Sequence, residues 1–311
     1  MDAHISVIED FKTANPDIEV VDWCLSSHAW VMNRRQDNPN HINPTTWMNL
    51  NEEMILRFQN EYDQFLRSFD GFITGHVMAF AMIYEKYNKP ILAMNSCRYD
   101  LPFCITKNMG MREKFHQCLQ RIKNRLVIVS NNKGDQSYTL AGTGIQPLYN
   151  PSLCLYIHTK YTPTKPTFLC YSGKLPPHPL VEYVSKPYTW SDITAYRGII
   201  HFPYEISTMS MFEHFTAGCP LFFPSNAYLR ANHNLQTIKE YWGTTVPREL
   251  WPFTDLNLWI DRSDIYTLFT QSPNTYYFDS IPHLFELLEG FTYKTYDRDV
   301  YIQQTRETWN A

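Results

Sequence analysis

The sequence predicts an α/β protein of two Rossmann-like lobes, each a parallel sheet covered by helices. Three observations carry that expectation. Short apolar, β-branched runs alternate with helical stretches in both halves of the chain. Proline gathers at Pro147, Pro151, Pro163 and Pro166, a density that breaks elements and marks a joint between lobes. The chain has 311 residues, 44% of them hydrophobic, which suffices for two cores of ordinary size.

The first lobe is set at residues 1–160. IEVVDWCL (18–25) is a short apolar run with β-branched residues, which predicts a buried strand. In 51–69, Met54, Ile55, Phe58, Tyr62, Phe65 and Leu66 recur at helical spacing and form one stripe. Strands follow at 69–76, 90–96 and 126–132, with helices at 77–87 and 111–125 between them. Such alternation implies a parallel sheet with helices on both faces and ligands beyond the carboxyl ends of its strands. Residues 26–28, 74–76, 95–100 and 130–133 then share one rim, and the composition of 131–135 reads as a turn. The second lobe, 161–311, restarts the alternation: strands at 167–174, 199–205 and 219–225, helices at 189–198 and 207–218. Residues 264–270 and 283–309 read as helical, the last long enough to return over the first lobe.

The composition excludes several classes. With 27 Lys and Arg against 31 Asp and Glu, the net charge is −4, which leaves no electrostatic footprint for nucleic acid. The 15% aromatic and 19% charged fractions exclude a disordered chain. Seven cysteines, an odd number with no CxxC pair, read as free buried thiols in a reducing compartment. No permitted Asn-x-Ser/Thr site occurs, the N-terminus lacks the apolar core of a signal peptide, and no apolar run reaches membrane-spanning length. A soluble, cytoplasmic protein without a transmembrane segment is expected.

The most informative stretch is HFPYEISTMSMFEHFTAGCPLFFPS, residues 201–225. A buried strand runs into a turn at 204–206, and Ser207 is placed to cap the helix that follows. A helix N-terminus presents unpaired N–H groups and partial positive charge, a ready site for phosphate. Hydroxyls at Ser207, Thr208 and Ser210 add donors there. Glu213, nearly two turns along, is near enough to accept from a ribose diol, and Glu205 can face a sugar hydroxyl. Gly218 closes the helix as a C′ glycine before the next strand.

Glu205 and Glu213, followed by Thr-Ala-Gly-Cys-Pro and an apolar strand, resemble the Glu-x7-Glu segment of retaining glycosyltransferases of the GT-B fold. The resemblance covers the second lobe well and the first only in architecture. It implies that Glu205 contacts the donor sugar and Glu213 the ribose. The diphosphate would lie against the backbone around Ser207, Thr208, Met209 and Ser210, with Tyr204 among the donor-binding residues. Where the family often has Phe-Gly after the first Glu, this chain has Ser207-Thr208. Tyr171-Ser172-Gly173-Lys174 is a second point of likeness: Gly173 and Lys174 end a strand beside the diphosphate in that family, with Lys174 as the phosphate cation. The Gly218-Cys219-Pro220 turn also resembles exostosin-like inverting enzymes, so both stereochemical outcomes stand.

Other residues carry two readings each. His76 is either a loop histidine or, as in GT-B enzymes, a group that meets donor sugar or acts as base. Asp100 is either paired with Arg98 or a catalytic base. Asp22 and His28 flank the end of the first expected strand. Asp297-Arg298-Asp299, the only Asp-x-Asp, falls on a late polar helix and not at a strand end, so no metal is expected. His233 reads as an exposed loop residue, and Trp242-Gly243 and Trp251-Pro252 as anchors and turns. The expectation is transfer of a sugar from a nucleoside-diphosphate sugar, a co-substrate, to a glycan or glycoconjugate acceptor, without cofactor or metal. A non-catalytic nucleotide-sugar-binding protein and a sugar-nucleotide epimerase are the readings kept beside it.

Overall fold

The computed structural model describes residues 5–21, 23–26, 39–172, 175–183, 188–203, 208–232, 260–267, 269, 272–294, 297, 299–300 and 302–303. It is α/β with two parallel sheets, one in each of two compact units, and the chain passes from the first unit to the second between Ser152 and Leu153.

Helix α1 (Ile5–Ala14) and helix α2 (Glu52–Arg67) open the first unit. Asn51 caps α2 by accepting from the Met54 amide. Four strands follow, β1 (Phe72–Thr74), β2 (Ile91–Asn95), β3 (Leu126–Ser130) and β4 (Leu148–Tyr149), hydrogen-bonded in that order and all parallel. Helix α3 (Ala81–Tyr84), between two 3₁₀ turns, joins β1 to β2. Helices α4 (Phe103–Thr106) and α5 (Met109–Ile122) join β2 to β3, and α6 (Lys133–Thr143) joins β3 to β4.

A sequential strand order corrects one expectation. Right-handed crossovers that always step the same way lay their helices on one face, not two. Phe72, Ile91, Ala93, Leu126 and Ile128 lie in one buried cluster with α2 and α5, whereas Val127 is 48% exposed. Residues 19–21 and 23–25 also form no strand. Trp23 is drawn out of an extended ladder by α2, where it packs on Phe58, Tyr62 and Phe65. The stretch expected to be a turn at 131–135 is the start of α6: Asn132 is its N-cap and accepts from the Asp135 amide at 2.7 Å.

The second unit is wound differently. Strands β5 (Phe168–Ser172), β6 (Val181–Tyr183), β7 (Ile199–His201), β8 (Leu221–Pro224) and β9 (Thr275–Phe278) are all parallel, in the order β6-β5-β7-β8-β9. The chain steps one way from β5 to β6, returns past β5 to β7, and then continues in the new direction. Such a reversal sends crossovers to both faces and leaves a crevice between β5 and β7. Helices α7 (Trp190–Thr194) and α8 (Met209–Thr216) pack on Leu169, Ile199, Leu221 and Phe223. After helices α9 (Asn226–Asn232) and α10 (Asp264–Thr267), α11 (Ile281–Glu289) packs on the other face against Phe168, Ile200, Phe222 and Phe278.

The long helix expected at 283–309 is interrupted: α11 ends at Glu289, with Gly290 as its C-cap, and residues 299–300 and 302–303 are helical again. Phe291 turns back among Phe168, Phe222 and Tyr276, and its carbonyl accepts from Arg197, which is incompatible with another helical turn. The interior here is tight. A Cβ on Gly198 would stand 2.7 Å from Phe222 Cε2 and 3.1 Å from the Pro220 carbonyl oxygen. Gly198→Ala is therefore expected to cost about 1–3 kcal/mol, read as a lower urea midpoint at unchanged slope.

Candidate functional site

The crevice of the second unit is built from the ends of β5 and β7 and from α8. The pairing of β5 with β7 shifts register between Cys170 and Ser172, a bulge at the switch point. Tyr171, at that bulge, donates or accepts across 2.8 Å with Tyr188 and turns its ring toward His201 and His214. His201 Nε2 and His214 Nδ1 are 3.0 Å apart, one nitrogen donating and the other accepting. Both imidazoles are buried, ringed by Tyr171, Trp190 and Phe223. Burial pushes the His201 pKa down to about 3, and burial together with the neighbouring His201 lowers His214 as well. The pair is neutral, and it fastens α8 to β7.

Helix α8 starts one residue later than its sequence suggests. Thr208 is the N-cap, in extended conformation, and its hydroxyl does not close the first turn. That hydroxyl lies 3.1 Å from Ser210 Oγ instead. The structure thus gathers Thr208, Met209 and Ser210 at one helix end and puts Glu213 about one turn farther on. Glu213 is half-buried and accepts a hydrogen bond from the Tyr156 hydroxyl. Burial raises its pKa, and the Tyr156 bond opposes that rise. Gly218 follows α8 at φ +82°, the left-handed C′ position expected of it. Gly173, Lys174, Tyr204, Glu205 and Ser207 lie outside the described residues, as do Asp22, His28, His233, Trp242-Gly243 and Trp251-Pro252.

The carboxyl rim of the first unit is a buried polar network. Arg98 does not pair with Asp100. Arg98 Nη1 donates to Asp135 at 2.6 Å, both side chains being 3% exposed. Asp100 accepts from Arg112 Nε at 2.7 Å, and the Tyr138 hydroxyl lies 3.1 Å from each of its oxygens. Two guanidinium–carboxylate pairs side by side leave each acid closer to another base than the sequence neighbour expected. His76, half-buried, sits in the left-handed region at φ +38° with its ring centroid 6.1 Å from that of Trp47. Asp297 precedes a helical stretch that includes Asp299, as expected of this late segment, and the Asp299 amide donates to Asp297 Oδ1 at 3.0 Å.

Compared with known proteins, the chain matches no family model, no curated protein and no solved structure. Among the described residues no group of three or more His, Cys, Asp or Glu side chains could hold a metal ion, and no helix is long and apolar enough to cross a membrane. All seven cysteines are buried.

Sequence reasoning missed Tyr156 and the two histidines. His201 and His214 are thirteen residues apart, on a strand and on the helix that folds back over it, so no helical or strand period relates them. Tyr156 precedes β5 in an irregular segment and carries no local signal.

Proposed function

We propose that the chain transfers a sugar from a nucleoside-diphosphate sugar to a hydroxyl acceptor, with the donor held by the second unit. One observation carries the reading: sheet order places the switch point between β5 and β7. The two segments that follow those strands in the sequence, Gly173-Lys174 and Tyr204 to Ser210, are those that resemble a glycosyltransferase donor site. Ligands of doubly wound sheets sit in that crevice. The proposal takes the two sheets as the two lobes of a GT-B arrangement, works by retention, and needs no metal. Helix α8 and Lys174 would neutralise the departing diphosphate, the task a cation performs elsewhere. Glu205 would contact the sugar and Glu213, steadied by Tyr156, the ribose diol. His76 stays the first-unit candidate for the sugar or acceptor. Asp100, whose carboxylate already serves Arg112 and Tyr138, has a positioning role.

A thermal-shift screen against UDP, GDP, ADP, CMP and their sugars, followed by a transfer assay with the binding donor, tests this reading. Binding without turnover would instead mark a nucleotide-sugar-binding protein. Glu213→Ala is expected to weaken binding of the matching nucleoside diphosphate by about 1.5–3 kcal/mol, the range for a hydrogen bond to a charged group. Unchanged affinity by calorimetry would remove Glu213 from the site.

A further inference from the structure

We infer that the first unit binds a small cationic amphiphile, an apolar chain with a positively charged head, in a cavity at the amino ends of β1, β2 and β3. The cavity holds about 990 Å³, the upper end of the range for small-molecule sites. It lies at the end of the sheet opposite the carboxyl rim, apart from the network of Arg98, Asp100 and Asp135.

Its floor is apolar by register. Ile73 pairs with Leu92 and Leu92 with Val127, so the three side chains form one row across the strands. Phe72, Ile91 and Leu126, one residue earlier in each strand, belong to the buried core, so the row faces the other way. Parallel strands are ordinarily covered on both faces. Phe11 of α1, Ile18 and Val21 of the segment before Trp23, and Phe65 and Phe69 at the end of α2 wall the cavity. Ile18, Val21, Phe65 and Val127 are all exposed. Four large apolar side chains left in water around one cavity make a patch, unlike the scattered exposed residues of an ordinary surface.

The charge around the cavity selects the head group. Asp17, Glu19 and Asp70 line it and are exposed, and among the described residues none of them has an ion-pair partner. Arg125 is the one base in the lining, and its guanidinium donates to the carbonyls of Lys89, at 2.7 Å, and Glu85. Lys89, at the same edge, donates to the carbonyls of Arg67 and Phe69. Three carboxylates against one committed base give the mouth a negative potential. Aromatic faces beside them attract cations as well, among them Trp23, stacked on Phe65 with centroids 5.0 Å apart. A bare metal ion would leave the apolar floor in water, and an apolar chain alone would leave the carboxylates unmatched. A chain with an ammonium head satisfies both. Such a ligand is neither donor nor acceptor of the proposed sugar transfer, and its binding does not depend on that reaction.

The full chain is titrated by calorimetry with octyltrimethylammonium, octanoate and 1-octanol, which share one chain length, and with tetramethylammonium, the head alone. The cationic amphiphile is expected to bind at least about tenfold more tightly than the other three, a preference that shrinks as salt is added. Val127→Lys, which puts a like charge on the floor, should weaken it by about tenfold or more. Asp17→Asn, Glu19→Gln and Asp70→Asn together should bring it to the affinity of 1-octanol. No binding of octyltrimethylammonium below its micellar range, another probe binding as tightly, or affinity unchanged in either variant overturns the inference. A chain that dimerises through this face, with Val127→Lys monomeric and the probe unbound, overturns it in favour of a second copy. Where Val127→Lys fails to fold, the three exposed acids decide: an undiminished preference for the cation in their triple variant overturns it.

Discussion

Asp135→Ala is expected to destabilise the first unit by about 3–5 kcal/mol, because it removes one member of a buried guanidinium–carboxylate pair. Both side chains are 3% exposed and the pair is 2.6 Å long, so water cannot take over the lost interaction. The loss extends locally: Asp135 Oδ2 also accepts from Asn132 Nδ2 at 2.8 Å, and Asn132 is the cap of α6. Replacing both members tests the cause. Arg98→Met with Asp135→Leu removes charge and counter-charge together, and buried pairs exchanged in this way for apolar groups of similar size are often near neutral. The double variant should then recover at least half of the single loss in urea unfolding, a coupling of more than about 1.5 kcal/mol. Additive losses would mean that the two side chains act through packing alone.

How much of this was legible in the sequence depends on where each residue found its partner. Fully buried parallel strands read as unbroken apolar runs, so Ile199-Ile200 and Leu221-Phe222-Phe223 announced β7 and β8. The two-residue β4, with Leu148 61% exposed, and β6, with Tyr183 49% exposed, are edge strands whose identity is decided by pairing, which a sequence does not display. The run 18–25 has strand propensity, yet Trp23 packs on the aromatic side of α2 and pairs with no strand. The same division holds at the candidate site. Thr208, Ser210, Glu213 and Gly218 lie on one continuous strand–helix–strand passage and could be placed by counting. Tyr156 and the histidine pair come together only when α8 folds back across β7. The Asp135 pair was hidden for a related reason: Arg98 has Asp100 two residues away, but its carboxylate partner comes from α6.

Acid should unfold the second unit well before ordinary carboxylate titration explains it. His201 and His214 are held neutral in the folded chain, with His201 depressed to about 3 by burial and His214 lowered by burial and by His201. Unfolded imidazoles titrate near 6.5, so below that pH the unfolded chain binds protons that the folded chain refuses. The contribution of the pair is therefore complete above about 6.5 and shrinks as pH falls toward the folded values, by up to about 1.4 kcal/mol per pH unit for each ring. By pH 5 roughly 4 kcal/mol would be gone, a large share of the 5–15 kcal/mol that holds a typical domain. The groups that face the rings, Tyr171, Trp190 and Phe223, offer no carboxylate to soften the penalty. Glu213, next to His214 on α8, acts in the opposite sense: its raised pKa gives stability that is present in acid and lost as pH rises. Urea midpoints of the natural chain between pH 7 and 5 measure the sum, and the same series on the His201→Leu, His214→Leu double variant isolates the pair. A slope that persists in the double variant would assign the acid sensitivity elsewhere. If the slope flattens, the two rings are the pH-dependent fastening between β7 and α8. Nucleotide binding at that helix end, if the proposed function holds, should then weaken over the same pH interval.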